Sequence, residues 1–321
     1  MEPQPNNRAN GRGLRGVKGR GIVIHDISSW ENLIDELDTT SFFWHPEWYS
    51  LFGNGVLTSD PEFNLKIPFL IKRKFFLKTL HSGPFGTYGG PIQPPSTIDI
   101  GTICQHLAAA ASAFGAVKVV FNGNPWHNYV IGMEKCPFPL RWAETMAITP
   151  VPKDPLSGCS SACKRNYRKA VRAGVKLKFG EEEDVEVYYR MYRETAARQR
   201  GKMRYSLIFF NRLHQLKNVH LLMAYVDSQP IAGLWLLIGK GEVFYWHGAS
   251  FTRWLHLRPN NFLHVEAIRL AYERGATWYN MGASLGKTSL MAFKASFGAK
   301  SFRYPVIKIT FPMSLLRKWS S

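Results

Sequence analysis

The sequence predicts an α/β chain of the α+β type, built in two successive parts, and three observations carry that reading. Three strand-like runs follow one another over 219–226, 231–238 and 243–249, joined by the turn-forming tetrads at 227–230 and 239–242. Helical patterns precede this meander, and a helix, a strand, a helix and a strand follow it. Residues 150–155 hold three prolines, which block both helix and ladder. That stretch reads as a linker between folded parts over 22–149 and 156–321, each of ordinary domain size.

Within the first part a short strand covers 22–27. A helix follows it, with Ser28 or Ser29 as N-cap and Glu31 in its first turn. Pro46 opens a second short helix, because its missing N–H costs nothing in a first turn. Strands are expected over 63–71 and 75–81, then a glycine- and proline-rich turn region over 82–91. An alanine-rich helix (103–114), a strand (117–121) and a strand-like run (141–149) complete the part.

The second part opens with a basic helix over 160–173, ended by Gly174. The next helix, 184–199, carries Val185, Tyr188, Tyr192 and Ala196 at spacings of three and four. A third covers 206–216. After the meander come a helix (260–274), a strand (277–281), a short helix (287–297) and a last strand (302–310).

The charge is the strongest compositional signal: 41 Lys+Arg against 23 Asp+Glu, a formal +18. Five of the bases lie in a glycine-rich tail over 1–21, and seven more, with no acid among them, lie over 159–178. A phosphate-bearing partner follows from electrostatics. No apolar run approaches the roughly 20 residues of a membrane span, so no integral membrane segment is expected. No apolar stretch follows the basic N-terminus as a secretory signal would require. Cys104, Cys136, Cys159 and Cys163 read as buried free thiols of a cytoplasmic protein, and no ligand spacing for a metal is present.

Three features point to chemistry. On the basic helix Lys164, Arg168 and Arg172 share one face and Arg165 and Lys169 the next, a phosphate-contacting arrangement. The loop from Gly282 through Lys287 to Thr288 joins a strand to a helix. It is one residue short of a nucleotide-binding P-loop, but it places Lys287 where helix N–H groups attract anions. His247 ends a meander strand, and Glu266 reads as an exposed salt-bridge partner within its helix.

Several segments, in order, resemble the FemAB-like branch of the GNAT acyltransferase superfamily. They are Lys164 to Val175 (KRNYRKAVRAGV), Asn261 to Ile268 (NFLHVEAI), Gly275 to Gly282 (GATWYNMG) and Phe293 to Gly298 (FKASFG). In the first part, Phe43 to Trp48 and Gly86 to Pro91 are similar to that family's degenerate first unit. The resemblance implies tandem GNAT-like domains, each a mixed, mainly antiparallel twisted sheet flanked by helices. It implies transfer of an acyl or aminoacyl group to an amine acceptor, in cell-envelope, peptidoglycan or polysaccharide pathways. The co-substrate would be acyl-CoA or aminoacyl-tRNA, a phosphate-bearing or tRNA-linked donor, with no permanently bound cofactor and with peripheral contact to an anionic membrane. By the FKxxFG position it implies that Lys294 touches substrate or donor phosphates; Lys164, Arg165, Arg168, Lys287 and Asn261 are the further candidates for binding substrate or donor phosphate.

For attack of an amine on a thioester or ester carbonyl, His247 and Tyr279 are the candidate proton handlers. The stretch 253–261 lacks the glycines of the usual GNAT pyrophosphate loop, and no helical arm of the tRNA-gripping kind appears over 200–220. The competing reading is a basic nucleic-acid-binding protein, or an envelope-pathway scaffold, without catalysis.

Overall fold

A computed structural model describes residues 21–84, 87–132 and 137–311. The expected basic tail, apart from Gly21, lies outside the described residues, as do Gly86 and Cys136. In chain order the elements begin β1 (Val23–His25), α1 (Ile27–Asp35), α2 (Pro46–Ser50), β2 (Asn54–Asp60), β3 (Leu65–Lys74) and β4 (Leu77–His81). Next come β5 (Ile98–Asp99), α3 (Ile100–Phe114), β6 (Ala116–Asn122), β7 (Tyr129–Val130) and β8 (Leu140–Ile148). Then follow α4 (Ser161–Arg172), β9 (Lys176–Phe179), α5 (Glu182–Arg198), α6 (Leu207–His214), β10 (Val219–Val226), β11 (Gln229–Ile238) and β12 (Glu242–Ser250). The last are α7 (Pro259–Glu273), β13 (Trp278–Asn280), α8 (Thr288–Ala295) and β14 (Lys300–Thr310).

These elements form two units. The first holds residues 1–27, 54–141 and 305–321, and the second 28–53 and 142–304. The division differs from the one read at 150–155. Val151 is buried, and its N–H donates to the Thr277 carbonyl at 3.2 Å, so the proline-rich stretch packs within the second unit.

In the first unit β1, β2, β3 and β4 are antiparallel neighbours, β6 lies parallel to β4, and β14 pairs antiparallel with β6. Helix α3 starts where Asp99 accepts from the Thr102 N–H at 3.1 Å and ends at Gly115, whose φ of 59° suits glycine. Its Ile103, Leu107 and Ala110 pack on Ile67, Phe69, Val119 and Phe121 of the sheet. Two details depart from expectation. Helix α1 begins at Ile27, which puts Ser28 and Ser29 inside it rather than at its cap. Strand β2 was not foreseen, because its sequence NGVLTSD opens with turn formers.

The second unit repeats the order. Strands β9 to β12 form an antiparallel run, β13 lies parallel to β12, and β8 pairs antiparallel with β13. Alternate residues of the meander face opposite sides, as strand geometry requires. Leu222, Leu234 and Leu236 join Leu263, Ala267 and Ile268 of α7 in one core. On the other face Trp235 meets Tyr188 of α5 and Phe210 of α6, with ring centroids 5.7 and 5.9 Å away. The segment carrying α1 and α2 supplies Phe43 and Trp48, whose rings lie edge-on to Phe244 and Trp246 of β12 at 4.8 and 6.1 Å. No described helix is long and apolar enough to cross a membrane.

Candidate active site

Strands β12 and β13 pair for only three residues, Glu242↔Trp278, Val243↔Tyr279 and Phe244↔Asn280. Beyond Phe244, β12 runs on to Ser250 while the chain leaves β13, so the two strands part and open a wedge. A buried polar network sets the point of parting. Asn280 accepts from the Thr145 hydroxyl (2.7 Å) and the Gly282 N–H (2.9 Å), and donates to Glu242 (3.0 Å). The other Glu242 oxygen accepts from Ser41 at 3.1 Å. Gly282, at φ 75°, then turns the chain aside in a conformation that a side chain would strain.

Lys294 fixes this exit. It is 2% exposed, and its Nζ donates to the Gly282 and Ala283 carbonyls at 2.8 and 2.9 Å. Burial lowers its pKa to about 8. The resemblance placed it against substrate or donor phosphates; two of its three N–H groups go to these loop carbonyls.

Along the outer half of β12, beside this wedge, lies a cavity of about 200 Å³, lined by Gly233 and Leu234 of β11, Tyr245, Gly248 and Ser250 of β12, Asn260 and His264 of α7, Leu290 and Phe293 of α8, and Thr195 and Arg198 of α5. On β12 an extra residue, Trp246, falls between the pairs Trp235↔His247 and Leu236↔Tyr245. Such a bulge interrupts the ladder and re-aims the side chains around it. The Tyr245 hydroxyl lies over Gly248, where an added Cβ would stand 2.7 Å from it. The Tyr245 and His264 rings meet edge to face at 4.6 Å. His264 Nδ1 shares a 2.7 Å hydrogen bond with the Tyr279 hydroxyl. Burial, reinforced by the Lys294 charge, drops His264 to about 3, and burial lifts Tyr245 to about 12. Both groups are therefore neutral through the physiological range.

The mouth is the turn from β12 to α7. Thr195 Oγ1 accepts from the Ser250 N–H and donates to its carbonyl, both at 3.1 Å. Arg198 Nη1 donates to the Ser250 carbonyl and the Thr252 hydroxyl at 3.3 and 2.7 Å. The glycine-free stretch solves its turn with Arg258, which takes the left-handed conformation (φ 62°) ahead of Pro259. Helix α7 has no side-chain cap; Pro259 brings no N–H, and the Asn261 and Phe262 N–H groups donate to the Arg258 carbonyl at 3.1 and 3.3 Å.

The expected residues are thus scattered. Tyr279 reaches the cavity only through His264. His247 bonds the Tyr188 hydroxyl and packs against Tyr192 at 4.8 Å on the other face of β12; burial lowers it to about 4. Asn261 is buried, with its amide 3.9 Å from Cys163 Sγ.

Helix α4 lies against the face of α7 that bears Phe262 and Glu266, through a Tyr167–Phe262 stack at 5.9 Å and a 2.7 Å bond from Tyr167 to Glu266. Asn260 and His264 occupy the opposite face, so Lys164, Arg165 and Arg168 do not line the cavity. Glu266 does pair with Arg269, at 3.2 Å, but is only 13% exposed. Lys287 is exposed at the N-cap of α8. Sequence reasoning missed Tyr245, His264, Arg198 and Asn260. The resemblance quoted the segment holding His264 without marking that residue, and Tyr245 lies within the strand-like run 243–249, where only His247 was singled out.

A parallel strand pair that splays after three residues, followed by a helix whose N-terminus meets the opening, matches a known domain type. The family model described as Acetyltransferase (GNAT) domain covers residues 158–294. Over those residues the chain is similar to a GNAT domain. Among solved structures FemX superposes with a TM-score of 0.67 at 12% identity, over 93% of this chain and 99% of that one. L-PGS from Bacillus licheniformis superposes with 0.57 at 13% identity, over 92% and 94%. The resemblance to the FemAB-like branch of the GNAT superfamily therefore holds at the level of fold. No curated protein sequence shows significant similarity to the chain.

Proposed function

We propose that the chain is an N-acyltransferase that moves an acyl group from an acyl-CoA thioester to an amine. The wedge between β12 and β13 carries this reading. A slot of about 200 Å³ suits a linear thioester arm better than the nucleoside end of a tRNA. At its rim the Arg198 guanidinium favours phosphate.

The acceptor nitrogen would attack the thioester carbonyl, the C–S bond would break, and the thiolate would take a proton. Tyr245, kept protonated by its pKa of about 12, is the donor assigned to that thiolate. His264, held neutral and oriented by Tyr279, is assigned to position Tyr245 through their edge-to-face contact at 4.6 Å, and the amine proton passes to solvent. The cell-envelope acceptor and the cytoplasmic setting rest on the FemAB-like resemblance. The first unit is assigned as a degenerate GNAT unit. Its meander, helix and parallel strand come in the same chain order as in the second, and the parallel strand of each has an antiparallel neighbour, β14 in the first and β8 in the second.

Thermal melting with acetyl-CoA and longer acyl-CoAs tests the donor, because a ligand at 100 times its Kd stabilises by about 2.7 kcal/mol. A rise is expected with acyl-CoA, and its absence with every acyl-CoA tried would sink the reading. Leu290→Trp, which fills the cavity, should remove the rise while leaving the melting point of the free protein within a few degrees. Tyr245→Phe should lower kcat by about 10²-fold or more with KM little changed. A variant of unaltered kcat would remove Tyr245 from the chemistry.

A further inference from the structure

The β3–β4 hairpin turns in two residues, with Lys74 paired to Leu77, and both turn residues are phenylalanine. Phe75 is 88% exposed and Phe76 78%, and Phe75 is the most exposed large apolar side chain among the described residues. Two-residue hairpin turns favour Asn-Gly, Asp-Gly or Gly at the positions that need positive φ. Here Phe75 takes φ 55°, a conformation that a bulky residue adopts only at a cost. The fold gains nothing from rings held in solvent at a strained turn, so their use lies outside the fold.

The surroundings say what they meet. Lys72, Arg73 and Lys74 are exposed directly behind the tip, and the hairpin from Leu65 to His81 contains no acidic residue. Lys78, by contrast, is turned inward to the Phe114 carbonyl at 3.0 Å, so it caps α3. The strand ends beside the tip, Asn54 to Val56 and Ala116 to Lys118, add no carboxylate. The tip is therefore a projecting apolar point with a collar of cations. We propose that it is an anchor for an anionic phospholipid surface: the two rings enter the interface and Lys72, Arg73 and Lys74 contact the headgroups. Nucleic-acid bases stack on rings laid along a charged groove, and a two-ring turn tip offers no such groove.

The test uses the full chain and sedimentation with vesicles of phosphatidylcholine alone or mixed with phosphatidylglycerol. The wild type should partition onto the mixed vesicles and not onto phosphatidylcholine. The F75G/F76N variant puts glycine at the one turn position with positive φ and so keeps the hairpin. It should bind about tenfold more weakly or worse with no loss of melting temperature. A Phe76→Trp variant should show a blue-shifted emission only with the anionic vesicles. Equal partition of wild type and F75G/F76N would overturn the assignment, because the cations elsewhere would then suffice. So would an absence of vesicle binding together with binding to single-stranded RNA that the double variant loses.

Discussion

Lys294→Met is expected to lower the stability of the protein by about 1–3 kcal/mol and to abolish transfer with it. The substitution keeps most of the apolar stem but leaves the Gly282 and Ala283 carbonyls without the ammonium that now bonds them at 2.8 and 2.9 Å. The part-buried Ala283 carbonyl loses its partner at about 1–3 kcal/mol, while the Gly282 carbonyl loses one of two and keeps the Met146 N–H at 3.1 Å. Part is returned, since burying the ammonium was itself costly, as its lowered pKa of about 8 records. The sign in alkali follows. Between about pH 8 and 10.5 the unfolded chain binds a proton that folded Lys294 has released, so this group adds stability as pH rises through that window. Urea unfolding at pH 7 measures the main effect. An unchanged midpoint with transfer lost would show that Lys294 acts on a ligand, as the sequence resemblance implied.

That outcome would also decide how the wedge is maintained. Gly282 is held from three sides: its N–H by Asn280, and its carbonyl by both Lys294 and the Met146 N–H at 3.1 Å. The exit of the chain from β13 is thus over-determined, and loosening one tie should let the loop close on the cavity. Lys294 is accordingly a positioning residue, one helix turn from Leu290, which lines the slot itself.

Regular structure was legible in the sequence wherever periodicity was strong. The meander, α5, α7 and the glycine ends of α3 and α4 fall within a few residues of their predicted bounds. Strand β2 was hidden because its apolar residues are few and follow Asn-Gly. The site was less legible, for a physical reason. Its defining event is a lost pairing beyond Phe244, and a sequence records which residues favour a strand, not where two strands part. Charge misled in the same way. The densest cations lie on α4, which covers the face of α7 turned from the cavity, whereas the lining Arg198 sits in an ordinary amphipathic helix. Spacing located the FKxxFG segment, but burial decided that Lys294 points at backbone.

Mild acid should unfold the protein, at a midpoint between about pH 4 and 5. Burial lowers His81, His106, His127 and His247 to about 4 and His264 to about 3. In the unfolded chain each would titrate near 6.5. Below that value the unfolded state takes up protons that the folded state refuses, so stability falls as pH falls, down to each folded pKa. At pH 5 a fully buried ring costs about 2 kcal/mol, which applies to His106 and His264 at 0% and 3% exposure. The other three add smaller amounts, because solvent reaches them. Glu47, raised by burial, acts in the opposite direction, but it is one group against five. The combined loss approaches the 5–15 kcal/mol that a folded domain has to lose. His106→Gln should flatten the dependence: the Thr58 hydroxyl bonded to His106 Nε2 at 2.8 Å can still find an amide, while the titrating ring is gone. Urea midpoints at pH 7.5, 6.5, 5.5 and 5 would measure both slopes; a wild-type midpoint constant across that range would contradict the assignment of neutral buried histidines.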